Sequence, residues 1–139
     1  MLSVCKVFRF EAAHSLPNHP GAFKNLHGHS YELHVCVKAK TLNDQGMVMD
    51  FGDLKRIVQR EIIDEFDHSV VLKKESLLAL TLMHSDQKLV LLDNDPTAEN
   101  MVGLIANRLM SALPEGIHVH FLKLWETSTS YALWENDRD

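Results

Sequence analysis

The sequence predicts an antiparallel α+β domain, with strands at both ends of the chain and helices between them. Residues 27–40 alternate apolar and polar side chains with a period of two, which is typical of a strand with one buried face. Apolar side chains after Asp50 and after Asp95 instead recur at helical spacing. Residues 118–127 and 130–134 end the chain as two closely spaced strands. Because the helices do not alternate with the strands, this order favours an antiparallel sheet over βαβ units.

The composition is that of one globular domain, which we expect to span residues 1–139. Fourteen basic and nineteen acidic residues give a net charge of −5. Nucleic-acid-binding proteins usually carry a basic excess, so no nucleic-acid partner is expected. The sequence also contains nine histidines. Because histidine is the most common metal ligand, the composition already indicates a metal site.

The sequence shows no sign of membrane insertion or secretion. No apolar run approaches the roughly 18 residues of a membrane span. The N-terminus lacks a charged segment followed by a long apolar core. We therefore expect a cytoplasmic protein without a membrane partner. Cys5 and Cys36 have no metal-binding spacing, and we expect both thiols to be reduced in that compartment.

The first two strands each carry histidine on their apolar face. A strand is expected over residues 4–14, where alternate side chains form one face. These are Phe8, Phe10, Ala12 and His14. Residues 15–26 contain two prolines and a glycine and are expected to form a loop. The strand over residues 27–40 then begins its apolar face with His27 and His29.

The first main helix is expected to start at Asp50, a suitable N-cap, and to end near Asp67. Its apolar side chains repeat at helical spacing up to Phe66. A turn at residues 43–46 and a short extended stretch at 47–49 are expected to precede it.

The second main helix is expected to start at Asp95, with Pro96 in the first helical position. Residues 114–116 stop it. The segment between the two main helices is expected to hold a helix over 75–84 and a short buried strand over 88–92. Helix capping accounts for residues 95–100, and we assign them no other role.

Three histidines are candidates for one metal site. His27 and His29 lie two residues apart on a strand, so their side chains point the same way about 6.6 Å apart. His14 ends the preceding strand with the same parity and can complete the set if the two strands are neighbours. Three neutral imidazoles leave the fourth tetrahedral position open, as in catalytic zinc sites. The alternative is that these histidines belong to the core or the surface.

Two acidic positions are candidates for catalysis or substrate binding. Asp67 can orient the ring of His68 and raise its pKa, which suits a general acid or base. Alternatively, His68 only complements the dipole at a helix C-terminus. Glu126 can grip the N–C–NH2 edge of a heterocycle with two hydrogen bonds. The alternative for Glu126 is a solvated strand end.

Six short segments match the motifs of one known family, in the order in which that family carries them, across almost the whole chain. The segments are FEAAH at 10–14, LHGHSY at 26–31, GMVMDF at 46–51, FDH at 66–68, NDPTAEN at 94–100 and ETS at 126–128. Together they resemble the 6-pyruvoyltetrahydropterin synthase family and, within it, the bacterial 6-carboxytetrahydropterin synthases.

The resemblance implies a tunnelling fold, in which each subunit supplies a four-stranded antiparallel sheet and two helices in the order β-β-α-α-β-β. Three sheets close into a barrel, and two trimers stack as a homohexamer with sites between subunits. The site residues implied are zinc ligands, a pterin-binding pair and a proton relay. They are His14, His27 and His29 for Zn²⁺, Glu126 and Thr127 for the pterin, and Asp67, His68 and Glu126 for catalysis.

The activity implied by the resemblance is that of a lyase in queuosine (7-deazaguanine) biosynthesis. The bacterial enzymes convert 7,8-dihydroneopterin triphosphate to 6-carboxytetrahydropterin, acetaldehyde and triphosphate. They usually carry a catalytic cysteine where this chain has Phe23, with His19 and Lys24 as the nearby groups of suitable chemistry. The alternatives are a homologue that cleaves a different pterin side chain, and one that binds pterin or zinc without turnover. Residues 73–92 are longer than in the family and can extend an interface or cover the pocket.

Overall fold

One six-stranded sheet forms the framework of the molecule. The structure is a computed structural model and describes residues 1–138. The strands lie in the order β4-β3-β1-β2-β5-β6. Their bounds are Leu2–His14 for β1, His27–Ala39 for β2, Ser69–Lys73 for β3, Leu89–Leu92 for β4, Ile117–Thr127 for β5 and Ser130–Glu135 for β6.

The helices follow β2 and precede β5. The first is α1, Phe51–Val58, which continues through a π-helical turn, Gln59–Ile63, into a last α-helical turn, α2, Asp64–Phe66. A short helix, α3, spans Leu77–Leu82, and the longest, α4, spans Ala98–Ala112. A 3₁₀ turn at Ala22–Lys24 lies in the loop between β1 and β2.

The long β1–β2 pair confirms the parity predicted from the sequence. The strands are antiparallel and pair from Leu2 opposite Ala39 to His14 opposite His27. The face that was predicted to be apolar is buried, and there the rings of Phe10 and Tyr31 stack with centroids 5.0 Å apart. The core lies between this face and the helices that flank it. It includes side chains from both, such as Leu33, Leu124, Leu54, Met101 and Ile105.

The predicted C-terminal hairpin is also confirmed. Strand β5 pairs antiparallel with β2 and with β6, which completes an antiparallel group of four strands. The register of β5 against β6 shifts between Trp125 and Thr127. Such an irregularity re-aims the side chains beside it, and Glu126 lies at this point.

The sheet has six strands, so the expected count of four is wrong. Strand β3 pairs parallel with β1, and β4 pairs parallel with β3. The helix and the strand expected over 75–84 and 88–92 are found as α3 and β4, whereas β3 was not predicted. Its first four residues, Ser69 to Leu72, are all buried. A strand that is buried on both faces has no alternation of polarity by which to recognise it.

The start of α1 is confirmed, and the stretch before it is corrected. Asp50 is the N-cap, and its side chain accepts hydrogen bonds from the backbone N–H groups of Gly52 and Asp53. Residues 48 and 49 form bends, and residue 47 has no regular structure, so the expected extended stretch is absent. The side chain of Asn43 accepts from the N–H of Met47 at 3.0 Å, which folds this part of the chain into a turn.

Helix α4 begins later than predicted. Its N-cap is Thr97, whose side chain accepts from the N–H of Asn100 at 3.1 Å. Pro96 is therefore outside the helix and does not occupy its first position. Threonine is among the preferred N-cap residues, and the cap at Thr97 leaves the carbonyl of Pro96 free for another partner.

The structure joins Cys5 and Cys36 in a disulfide, so the expected pair of reduced thiols is wrong. The two residues are direct partners in the β1–β2 register, which brings their Cα atoms within 4.0 Å. Within residues 1–138, no helix has the length and apolar character needed to cross a membrane.

Candidate metal and substrate site

The three predicted ligands come together where β1 ends and β2 begins. His14 is opposite His27 in the strand register, and Ala12 is opposite His29. One ring nitrogen of each histidine lies within 4.8 Å of the corresponding atoms of the other two. Their side chains share the buried face because all three have the parity of the core residues. The strand pairing that the prediction required is thus present.

Backbone carbonyls fix which nitrogen of two of these rings carries the proton. Nδ1 of His14 donates to the carbonyl oxygen of Pro96 at 2.7 Å, and Nδ1 of His27 donates to that of Asn25 at 2.8 Å. A carbonyl can only accept, so in the neutral rings Nε2 is the unprotonated atom. The two Nε2 atoms face each other at 3.1 Å. Two facing lone pairs repel, and a cation bound by both removes that repulsion.

His29 adds a third ring nitrogen to the cluster. Its Nε2 is buried and has no hydrogen-bond partner within residues 1–138, and it lies 3.6 Å from a carboxylate oxygen of Glu126. Burial lowers the pKa of both His14 and His29, which keeps the two rings neutral. Neutral imidazole is the form that binds metal. Three such nitrogens fit a zinc ion with one open coordination position.

Tyr31 lies buried beneath the cluster. Tyr31 is 1% exposed, and its hydroxyl lies 3.5 Å from Nδ1 of His14. Burial strongly raises the pKa of this hydroxyl, so Tyr31 stays neutral. The Tyr31 ring contacts the rings of His14 and His29 edge-on. This packing limits the rotation of both imidazoles.

Glu126 and Thr127 line an open groove beside the histidines. The groove has a volume of about 580 Å³ and runs between the start of β2 and the end of β5. Pairing of β5 with β2 brings Glu126 next to His29, so the structure brings together these two parts of the predicted site. The hydroxyl of Thr127 accepts from the N–H of Thr129 at 3.3 Å, within the β5–β6 turn.

Asp67 and His68 are held by the backbone of β1. The N–H of Glu11 donates to Asp67 at 2.9 Å, and the N–H of His68 donates to the carbonyl of Glu11 at 2.6 Å. The Glu11 hydrogen bond, together with His68 and Lys88, holds the pKa of the Asp67 carboxyl below its usual value.

The ring of His68 contacts Asp67 as expected, with Nδ1 3.1 Å from the carboxylate, but it is 77% exposed. The residue adopts a positive φ of 61°, a conformation that is uncommon outside glycine. His68 lines a second, shallower groove, which shares Gly28, His29 and Ser30 with the first. Asp67 and His68 are therefore near the histidine cluster without contacting it in this chain. Their catalytic role stays a prediction.

Three groups support the cluster in ways that the sequence did not predict. Two are the carbonyls of Asn25 and Pro96, which side-chain patterns cannot reveal. The third is Phe23, whose ring stacks on that of His27 with centroids 5.3 Å apart. His19 packs against Phe23 at 4.9 Å. The Lys24 carbonyl accepts from the hydroxyl of Ser15 at 2.7 Å, which ties the loop to the end of β1.

The sequence matches one known protein family over nearly its whole length. Residues 3–137 match the model of the family described as 6-pyruvoyl tetrahydropterin synthase. The 6-carboxy-5,6,7,8-tetrahydropterin synthase of Haemophilus influenzae is 35% identical, with 97% of this chain and 99% of the relative covered. The protein of the same name from Rickettsia bellii is 32% identical, with 94% and 98% covered.

Solved structures share the fold. An uncharacterised protein from Wolinella succinogenes superposes with a TM-score of 0.83 at 21% identity, covering 98% of each chain. A 6-pyruvoyl tetrahydropterin synthase from Plasmodium vivax superposes with a TM-score of 0.71 at 18% identity, covering 98% of this chain and 99% of the other. The tunnelling fold expected from the sequence is thereby confirmed, with the two parallel strands β3 and β4 extending the sheet.

Proposed function

We propose that this chain, which belongs to the 6-pyruvoyl tetrahydropterin synthase family, is a zinc-dependent lyase of the 6-carboxytetrahydropterin synthase type. The observation that carries the proposal is the convergence of three imidazole nitrogens, two of them held unprotonated by backbone carbonyls, beside the groove of Glu126. The proposed substrate is 7,8-dihydroneopterin triphosphate. The proposed products are 6-carboxytetrahydropterin, acetaldehyde and triphosphate, within queuosine biosynthesis.

The proposed metal ligands are His14, His27 and His29. When bound, Zn²⁺ supplies Lewis acidity that lowers the pKa of substrate hydroxyl groups. The carbonyls of Pro96 and Asn25 keep two of the ligands in the tautomer that leaves Nε2 available. Tyr31 packs beneath His14 and His29 and already restricts their rings, so the rings lose less conformational freedom when they bind the metal.

Glu126 and Thr127 are the proposed pterin-binding residues. A carboxylate can accept two hydrogen bonds from the N–C–NH2 edge of a pterin, a geometry that is both strong and selective. Glu126 lines the groove and lies next to His29. This arrangement supports a substrate held at its ring by Glu126, with its side chain directed toward the histidines.

Proton transfer is assigned to Asp67, His68 and Glu126. Asp67 contacts Nδ1 of His68, which orients the ring and leaves Nε2 to exchange a proton with substrate. Phe23 has no group that can accept a proton. Loss of one proton-transfer group typically costs about 10²–10⁴ in rate, so the reaction proposed here is slower than that of a relative with cysteine at this position.

The proposed assembly is a homohexamer, formed as a dimer of trimers, in the cytoplasm. Exposed apolar side chains support the assembly: Val7, Tyr131 and Leu133 are each more than 40% exposed. They lie on strands β1 and β6, on the sheet face opposite the core. A monomer in light scattering at micromolar concentration would contradict the proposed hexamer.

The proposed location bears on the Cys5–Cys36 disulfide, because the thiols of the cytoplasm would act to reduce it.

A second candidate function is pterin or zinc binding without turnover, or cleavage of a different pterin side chain. The observation that favours it is Phe23, which stands beside His27 where the bacterial relatives' catalytic cysteine is expected. The small-molecule partner remains a pterin in each case.

The deciding experiment mixes zinc-loaded protein with 7,8-dihydroneopterin triphosphate and measures acetaldehyde and pterin products. His27→Ala serves as the inactive blank, and His84→Ala, at an exposed histidine outside the site, serves as the matched control. Acetaldehyde together with 6-carboxytetrahydropterin supports the lyase. Pterin binding without product supports the second candidate, and absence of both binding and product overturns the two proposals.

A further inference from the structure

His27 is less enclosed than His14, the ligand that lies opposite it. It is the first residue of β2 and is partly exposed, whereas His14 is 1% exposed. Its only side-chain hydrogen bond outside the cluster, within the described residues, goes to the carbonyl of Asn25, two residues earlier. The loop that precedes β2 therefore controls the position of this ring.

Phe23 covers one side of that ring. The two rings are inclined by only 24°, with centroids 5.3 Å apart, so they stack. Phe23 is nevertheless 45% exposed. A half-exposed aromatic side chain that is held against an imidazole in a loop suggests a role for the contact itself.

The loop fixes Phe23 to the end of β1. The carbonyl of Phe23 accepts from the N–H of Leu16 at 2.9 Å, and the N–H of His19 donates to the carbonyl of Leu16 at 2.9 Å. The His19 ring then packs against Phe23. Gly21 leaves room for the His19 ring, since a Cβ at this position would lie 3.2 Å from it. Three rings, those of His19, Phe23 and His27, thus form one contiguous aromatic row beside the cluster.

We propose that Phe23 is a positioning residue, whose ring holds the imidazole of His27 with Nε2 directed toward His14. This inference rests on the metal-binding part of the proposed function, and it assigns the loop a direct share in metal affinity. The side chain of Phe23 contains no polar atom, so its contribution is geometric. Residues that orient a metal ligand from outside typically change metal affinity by about 10–100-fold when they are replaced.

The test compares zinc affinity, by competition with a chelator, for the wild type and three variants. Phe23→Ala removes the ring and is expected to weaken zinc binding about 10-fold. Phe23→Leu keeps apolar volume without a stacking face and is expected to weaken zinc binding nearly as much. Phe23→Tyr retains the stack, so its zinc affinity is expected to stay within about 2-fold of the wild-type value. Phe51→Ala, at another half-exposed phenylalanine, is the matched control. Unchanged affinity in both Phe23→Ala and Phe23→Leu overturns the proposal.

A second measurement separates this inference from the proposed function. In metal-free protein, the ring-current shift of the His27 ring protons in NMR spectra reports the stack directly. We expect those resonances to move in Phe23→Ala and to remain in place in Phe23→Tyr. If wild-type protein and His27→Ala bind zinc equally, the proposed metal site fails, while the NMR shift still tests the stack. Resonances of His27 that do not change in Phe23→Ala contradict the stack itself.

Discussion

The Nε2 atoms of His14 and His27 face each other at 3.1 Å, across the last pair of residues in the β1–β2 register. Each ring donates its Nδ1 proton to a backbone carbonyl. Two unprotonated nitrogens at this distance repel each other, and a cation bound by both removes the repulsion. Binding of a cation is expected to stabilise the fold as well as to prepare the site.

Zinc should raise the melting temperature of the protein. At free zinc about 100 times the dissociation constant, binding to the folded state contributes about 2.7 kcal/mol. Differential scanning calorimetry with and without a chelator measures the shift. His29→Ala should abolish most of it, and His84→Ala should leave it intact. An equal shift in both variants would place the bound zinc elsewhere.

The N-cap of α4 should influence the metal site, whereas the N-cap of α1 should not. Thr97→Ala and Asp50→Ala each remove a cap that accepts backbone hydrogen bonds, which costs about 1 kcal/mol of unfolding free energy. Thr97 follows Pro96, whose carbonyl holds His14, so only Thr97→Ala should also weaken zinc binding. Urea denaturation and chelator competition measure the two effects. Equal zinc affinities in the two variants would exclude the link through Pro96.

Glu126→Gln should separate pterin binding from metal binding. The neutral amide replaces one of the two acceptor oxygens with a donor, so it cannot match the N–C–NH2 edge. Loss of a charge-assisted hydrogen bond costs about 1.5–3 kcal/mol, which corresponds to at least a tenfold weaker affinity for neopterin. Isothermal titration calorimetry measures this affinity, with Glu135→Gln as the control. Zinc affinity should change little, and unaltered neopterin binding would remove Glu126 from the pterin site.

Acid should destabilise the wild type more than Asp67→Asn. The Glu11 N–H lowers the pKa of the Asp67 carboxyl in the folded state. The ordinary pKa of this carboxyl is 3.8. As the pH falls below that value, the unfolded chain binds more protons than the folded chain, so the free energy of unfolding decreases as the solution becomes more acidic. Asparagine keeps an acceptor oxygen but does not titrate. The urea midpoint of Asp67→Asn should fall less between pH 5 and pH 3, with Asp86→Asn behaving as the wild type. Parallel curves for all three proteins would show that Asp67 does not contribute.

Reduction of the disulfide should lower stability without disrupting the site. The cross-link spans 31 residues, for which the chain-entropy model gives about 3–4 kcal/mol. Chemical denaturation of the oxidised and reduced protein measures the difference, and Cys5→Ser should match the reduced wild type. The cysteines lie nine register positions from His14 and His27, so zinc affinity should be similar in both redox states. A reduced protein as stable as the oxidised one would rule out a stabilising cross-link.

Side-chain periodicity was sufficient to predict the strands that carry the histidines. The alternation in β1 and β2 placed His14, His27 and His29 on one face, and the structure pairs these strands in the register that the cluster needs. The same register also places the two cysteines opposite each other, although both were expected to be free thiols. Counting nine residues back from His14 and nine forward from His27 places Cys5 opposite Cys36, so the disulfide follows from the strand pairing.

Other features have no signal in the pattern of side chains. The carbonyls of Asn25 and Pro96 act through the main chain, which every residue has, so only the folded backbone reveals them. The stack of Phe23 on His27 depends on the path of a loop rather than on a periodic element. Strand β3 was not predicted because it is buried on both faces and therefore lacks the alternation of apolar and polar side chains. These features depend on contacts between segments that are distant in sequence or irregular in conformation.

The Cys5–Cys36 disulfide has a consequence for a chain whose backbone has been cut. The loop between β1 and β2 is enclosed by this cross-link, and Lys24 in the loop is exposed. Trypsin cleavage after Lys24 would leave His14 on one fragment and His27 and His29 on the other. The fragments would stay covalently joined, migrating as one band on a gel without reducing agent and as two bands with it. The three histidines can therefore remain a single site, held by thirteen residue pairs and one sulfur–sulfur bond, when no continuous peptide connects them.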